Sequence, residues 1–297
     1  MHSTEDSSQT IESFGQKWAN NADLAFASTL NSNSEICQWI LTRNGFKSLN
    51  DLNLWLGKNT RVLDAGCGNG RVSALFSNCL DSTSKIVSID INPEIAKVNL
   101  AQYLNVSVEY GDLTKNLNSF GLFDRIYCQE VLHHTSDPQN SFSNLCRQLA
   151  PNGEIAIYVY RKKAPIREFT DDFIRNKISH LSWKDAEIEM TQITRLAKIL
   201  TDLEITINVP QIESLDIIEG EYTIQRFFYH FFMKAFWSPE ISFGENVAIN
   251  GDWYHPQIST RHTLDEVKQW FKENKLEITH EFEDFYGITV HGKAISI

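Results

Sequence analysis

Between residues 61 and 160, short runs of β-branched and aliphatic residues alternate with segments whose apolar positions recur at helical spacing. Arg61–Asp64, Lys85–Asp90, Val106–Tyr110, Phe123–Cys128 and Glu154–Tyr160 read as strands, with helices over Arg71–Cys79, Pro93–Tyr103 and Gln139–Leu149. This alternation predicts an α/β fold: a parallel sheet with helices on both faces and ligands at the strand carboxyl ends. Upstream, a polar tail, Met1–Thr10, is expected to be disordered, and Ile11–Leu30, Ser34–Thr42 and Leu49–Leu56 read as helices. The last two close near Gly45 and Gly57.

From Arg161 the rhythm stops. Helical patterns cover Asp171–Leu181 and Ala186–Leu200, an extended piece lies near Ile205–Val209, and Phe228, Phe231, Phe232, Ala235 and Phe236 fall on one helical stripe. A segment this long between core elements is expected to be functional, capping the site. Thr263-Leu264-Asp265-Glu266 is a capping box opening a helix through Lys272, and strands follow at about Leu276–Phe282 and Ile288–Ile295. The expected organisation is a tail and helices over the ligand site (1–58), a core (59–160 and 263–297), and an inserted lid or ligand-binding region (161–262).

The chain is organised around Asp64-Ala65-Gly66-Cys67-Gly68-Asn69-Gly70-Arg71, where a strand turns sharply into a helix. Glycines admit close approach of a ligand, and the turn is expected to aim free N–H groups of the helix at it. Arg71 fills the place where a dinucleotide fingerprint needs its third glycine, and no Lys-Ser/Thr pair closes the run as in a P-loop. NAD and ATP are therefore disfavoured, and an adenosine ligand without a required pyrophosphate remains. Asp90 closes the second strand about 20 residues on, where an acid accepts from both ribose hydroxyls. A helix N-cap is its alternative, and Asn92 fills that role better.

Composition narrows the partners. The chain has 297 residues and a net charge of −11, and Arg161-Lys162-Lys163 is its densest basic run, so nucleic acid is not expected as a partner. Five cysteines without a C-x-x-C pair give no zinc or disulfide framework, and a reduced, cytoplasmic protein without a metal is expected. No run of about 18 apolar residues suggests a membrane span.

Val62 to Gly70, with Asp90, Asp112 and the strand ends, resembles the cofactor-binding core of class I S-adenosylmethionine-dependent methyltransferases. The resemblance implies a seven-stranded, mostly parallel Rossmann-like sheet ending in an antiparallel hairpin, with S-adenosyl-L-methionine as cofactor. It implies that Asp64 anchors the methionine end while Gly66, Cys67 and Gly68 close on the ligand; a turn-stabilising aspartate is the alternative. Asp112 would take the adenine amino group, Ile91 and Leu113 would sandwich the ring, and Gln129 would face the cofactor. Phe14-Gly15-Gln16-Lys17-Trp18 resembles a segment preceding some bacterial members; a plain i,i+4 core pair of Phe14 and Trp18 explains it as well.

The implied reaction transfers a methyl group to an O or N atom of a small-molecule acceptor. A macromolecular acceptor, tRNA or protein, and a non-catalytic adenosyl-binding module are the alternatives. His134, after the fourth strand, is the candidate general base wherever the acceptor loses a proton; a structural histidine is its alternative. Tyr254 and His255, in Asp252-Trp253-Tyr254-His255-Pro256, are candidate acceptor contacts through likeness to an Asp-x-Tyr-x-Pro pattern in bacterial relatives, or else anchors of the insertion.

Overall fold

The structure, a computed structural model, describes residues 3–295. In chain order it contains α1 (Thr4–Asn20), α2 (Phe26–Leu30), α3 (Glu35–Arg43), α4 (Leu49–Leu56), β1 (Arg61–Ala65), α5 (Arg71–Cys79) and β2 (Lys85–Asp90). Then come α6 (Glu94–Asn99), β3 (Val106–Tyr110), β4 (Phe123–Gln129), α7 (Pro138–Cys146), β5 (Leu149–Tyr160), α8 (Pro165–Ile178) and α9 (Trp183–Asp202). The last elements are β6 (Thr206–Val209), β7 (Gly220–Thr223), α10 (Ile224–Phe231), α11 (Phe243–Tyr254), α12 (Leu264–Glu273), β8 (Leu276–Glu283) and β9 (Gly287–Ala294). They divide into two compact units: Ala22–Arg161 with residues 260–295, and residues 3–21 with Lys162–Ser259.

The first unit is a seven-stranded sheet in the order β3-β2-β1-β4-β5-β9-β8. β1 to β5 are parallel, and β9 enters antiparallel beside β5. The inner strands are buried on both faces, which is why β1 and β2 read as near-continuous apolar runs, while the edge strands β3 and β8 keep exposed positions. On β1, Leu63 joins a core with Ile126, Ile157, Phe142 and Phe271, while its neighbour Val62 joins another with Leu52, Leu56, Phe76 and Ala156. The order reverses between β1 and β4, and a sheet of this kind leaves its ligand crevice at the carboxyl ends there.

The excursion to the second unit begins and ends on this sheet. Arg161 bridges His262, the His262 N–H donates to the Tyr160 carbonyl at 2.9 Å, and the Thr260 N–H donates to the His133 carbonyl at 2.8 Å. The second unit is built on α1, α8, α9, α10 and α11, with a small β6-β7 hairpin.

Several expectations change. Residues 4–10 are helical rather than disordered: Ser3 and Asp6 form a reciprocal capping box, and Ile258 N–H donates to Thr10 Oγ1. The single helix Ile11–Leu30 is broken after Asn20, with Ala25 at φ 55° before α2. α6 is shorter than Pro93–Tyr103 and follows Pro93; Asn92 instead donates its N–H to Asp90. The stripe ending at Phe236 is not one helix, because α10 stops at Phe231. Beyond it the Gln225 amide donates to the Ala235 carbonyl at 2.7 Å, and Asn250 Oδ1 accepts from Phe236 N–H at 2.8 Å, so side chains satisfy an irregular backbone there.

Candidate cofactor and active site

β1 delivers Asp64 and the glycine turn to the carboxyl edge of the sheet. Gly66, Gly68 and Gly70 have φ values of 83°, 57° and 87°, which side-chain-bearing residues adopt at a cost. The turn is tied down internally. Gly66 and Cys67 N–H both donate to the Ile89 carbonyl at 2.7 and 3.0 Å, Gly70 N–H to the Cys67 carbonyl, and Gly68 N–H to Asp90 Oδ2 at 2.8 Å. These N–H groups of the turn are spent within the protein. That suits a ligand gripped by acids.

Asp90 ends β2, half-buried, its other oxygen accepting from Asn92 N–H at 2.8 Å. Burial raises its carboxyl to about 6 despite hydrogen bonds from the Asn92, Gly68 and Ile91 backbone. Asp112 follows β3, the strand beside β2, and its Oδ1 accepts from Thr114 N–H and hydroxyl at 2.9 and 2.7 Å. Asp90 and Asp112 are half-buried, as is Ile91, while Leu113 is buried. Two reachable acids on adjacent strand ends, each followed by an aliphatic residue, suit a nucleoside: hydroxyl and amino donors for the acids, a ring for the apolar pair.

Asp64 is placed differently. It is 3% exposed and accepts from the Ser73 hydroxyl at 2.5 Å, with Ser73 linked to Ser88 at 2.7 Å, so it braces α5 against β1 and β2. Burial raises its carboxyl to about 6, opposed by the Ser73 hydroxyl and reinforced by the Asp90 charge. Gln129 is also buried; its amide oxygen accepts from Tyr127 OH at 2.8 Å, and its amide nitrogen donates to Asn44, which His291 contacts in turn. Cys67 is buried, and burial pushes its thiol well up.

Residues that sequence reading missed complete this edge. Glu130, just past β4 at φ 68°, accepts from Arg43 Nη1 at 2.9 Å and Arg71 Nη2 at 3.5 Å. Arg71 also donates to Thr29 Oγ1 at 3.1 Å. The Asn69 and Asn99 amides donate to the Ala22 carbonyl, and Asn69 to that of Leu24, which fastens the segment before α2 to the glycine turn. His134 closes a single 3₁₀ turn after β4, half-buried, its ring edge-on to Tyr160 at 5.5 Å and to His133 at 4.4 Å.

Tyr254 and His255 lie in the second unit at the end of α11. Tyr254 is fully buried, with its hydroxyl 2.7 Å from Asp171 Oδ1 and 2.9 Å from the Lys234 carbonyl. His255 Nδ1 is 2.7 Å from Ser13 Oγ and its Nε2 3.2 Å from the Leu181 carbonyl, and burial lowers its pKa. Lys17, between Phe14 and Trp18, pairs with Asp252 at 2.7 Å. Among the described residues no cluster of His, Cys, Asp and Glu could hold a metal ion, and no helix is long and apolar enough to cross a membrane.

The sheet order and the glycine turn define the fold of class I S-adenosylmethionine-dependent methyltransferases. A family described as a methyltransferase domain matches residues 56–230, and the chain belongs to that family. An uncharacterised protein of Synechococcus sp. is 34% identical over 119 residues, covering 37% of this chain and 28% of that protein. The ubiquinone biosynthesis O-methyltransferase of Xanthomonas oryzae pv. oryzae is 31% identical over 100 residues, covering 32% of this chain and 41% of that protein. The chain thus spans less than half the length of these curated relatives. The N-methyltransferase NodS of Bradyrhizobium japonicum WM9, solved with S-adenosyl-L-homocysteine, matches with a TM-score of 0.50 at 13% identity, over 97% of this chain and 100% of that one, a likeness of fold.

Proposed function

We propose that the chain transfers the methyl group of S-adenosylmethionine to an oxygen or nitrogen atom of a small-molecule acceptor. The observation that carries the cofactor half is Asp90, a half-buried acid at the end of β2 whose carboxylate locks the glycine turn through Gly68. Asp90 holds the ribose hydroxyls, Asp112 the adenine amino group, and Ile91 and Leu113 the ring faces. Gly66, Cys67 and Gly68 line the approach. Asp64 and Gln129, whose polar groups are engaged inside the unit, set the position of this edge, and Glu130 with Arg71 offers charges of both signs to an amino-acid end.

When bound, S-adenosylmethionine supplies a methyl group already activated by the sulfonium charge. The protein's own work is orientation and exclusion of water. His134 takes the proton of an acceptor that must lose one. Tyr254 and His255 hold the inserted unit together from within. The net charge of −11 and relatives named as methyltransferases of ubiquinone biosynthesis support a small acceptor over a nucleic acid.

Isothermal titration with S-adenosylhomocysteine tests the reading: binding by the wild type, weakened at least about tenfold in Asp90→Ala, is expected from the loss of charge-assisted hydrogen bonds. Incubation of a cell extract with methyl-labelled cofactor then sorts the acceptor by size. Label in the protein or RNA fraction, instead of the low-mass fraction, overturns the small-molecule assignment.

A further inference from the structure

Two guanidinium groups in the second unit have buried donors that its own acids do not satisfy. Arg167 on α8 is 1% exposed; its Nε donates to Asp171 Oδ2 at 3.1 Å, but its Nη1 is buried with no hydrogen-bond partner among the described residues. Asp171 cannot serve it, because its oxygens already accept from Arg167 Nε, Trp253 Nε1, Tyr254 OH and Lys234 N–H, the full capacity of a carboxylate. Arg226 on α10 repeats the pattern: its Nη1 is likewise buried without a partner.

The two guanidinium groups share a neighbourhood, since both lie against the Tyr229 ring, Arg167 at 4.6 Å and Arg226 at 5.7 Å. Lys163 and Lys234 lie 5.6 and 5.2 Å from the Trp253 ring, which Arg167 also faces at 5.2 Å. Of the other acids, Asp252 pairs with Lys17 at 2.7 Å through Oδ2, while its Oδ1 is a buried acceptor without a hydrogen-bond partner among the described residues, and Glu168 accepts from Lys163 N–H at 2.7 Å. Buried His230 reports the field, its pKa lowered to about 3 by burial and by Arg167, Arg226 and Lys163. A buried guanidinium N–H without an acceptor is costly, and such a donor calls for a completing partner, an ordered water, an ion or a ligand.

We propose that Arg167 and Arg226, flanked by Lys163 and Lys234, bind an oxyanion, the carboxylate or phosphate of an acidic acceptor. The guanidinium fork suits two-point recognition of such a group, and Tyr229 and Trp253 hold the cations in place. The identity of the ligand as acceptor rests on the methyl-transfer reading above; the anion site itself does not.

The test is calorimetric titration of the full chain with sodium phosphate and with sodium acetate, against sodium chloride at matched ionic strength. Saturable binding of either oxyanion is expected, weakened at least tenfold in Arg167→Gln and in Arg226→Gln. Arg226 is half-buried, so its variant carries the test if Arg167→Gln does not fold. Saturation by phosphate alone assigns a phosphate ester, and by acetate alone a carboxylic acid. Heats no larger than those of chloride, or unchanged binding in Arg226→Gln, overturn the proposal. S-adenosylhomocysteine is titrated in parallel: if it fails to bind wild-type protein that still binds an oxyanion, the methyl-transfer reading falls and the anion site stands.

Discussion

Arg43 Nη1 lies 2.9 Å from Glu130 Oε1, which joins the last turn of α3 to the residue just past β4. Arg43 is 2% exposed and stacked against Trp39 at 3.8 Å and Tyr158 at 4.5 Å, so its charge has little access to water. The nearby Glu130 carboxylate keeps the guanidinium charged against that burial. Glu130 reaches it from a left-handed backbone, φ 68°, a conformation that costs a non-glycine residue about 1 kcal/mol and that clusters at functional edges. Removing one partner of such a pair leaves the other buried and uncompensated. Glu130→Gln is therefore expected to lower the unfolding free energy by about 1–3 kcal/mol, less than a fully buried pair because Glu130 is partly exposed. Urea denaturation of the two proteins measures it.

With Asp90 in its proposed role, cofactor affinity is expected to depend on pH. Its carboxyl titrates near 6 in the fold and near 4 in an unfolded chain, and Asp64 behaves alike. The native state thus holds these protons more tightly, so the two groups favour folding below about pH 4, and that contribution is lost as pH rises through 6. Ligand binding runs the other way, because ribose hydroxyls need an ionised acceptor. Affinity for S-adenosylhomocysteine is expected to rise about tenfold between pH 5 and 7 and to level off above. In Asp90→Asn the profile should flatten and the affinity at pH 7 fall at least as far. Titration calorimetry across the range reads both effects.

Gly66 tests the turn itself. A Cβ there would sit 2.3 Å from Val131 Cγ2, and the residue's φ of 83° disfavours any side chain. Gly66→Ala must move either the turn or the segment after β4. A loss of about 1–3 kcal/mol in stability is expected, together with at least tenfold weaker S-adenosylhomocysteine binding. Thermal unfolding with and without ligand checks the pair: a variant as stable as wild type that still binds would show that the turn is not tight.

The first unit was legible because its signals are local. α5, β2 and β3 fall on the residues that the pattern of apolar runs marked, and the Thr263 capping box opens α12 as read. What escaped was long-range or masked by polarity. Nothing in sequence joins Arg43 to Glu130, 87 positions apart. α11 went unseen because it is buried around most of its circumference, with the Asn246 and Asn250 amides turned inward to satisfy backbone groups of residues 236–242, so no amphipathic period survives. Its Ser242 and Glu245 capping box was nonetheless visible, as was that of Ser3 and Asp6 in the supposed tail. The aromatic stripe misled because i+7 and i+8 spacing persists past a helix end where Gln225 and Asn250 take over the backbone.

Tyr254 distinguishes an anchor from an acceptor contact. Its hydroxyl sits between Asp171 Oδ1 and the Lys234 carbonyl, and burial together with Asp171 holds its pKa well above the usual tyrosine range, so it does not serve as a base near neutrality. Tyr254→Phe keeps the ring and deletes one of the four donors to Asp171. An anchor predicts a stability loss of about 1–2 kcal/mol, the cost of a lost hydrogen bond to a charged group, with S-adenosylhomocysteine affinity unchanged. Urea denaturation of the two proteins measures the loss. Wild-type stability in Tyr254→Phe, with turnover cut and KM raised, would instead make the hydroxyl a contact for the acceptor.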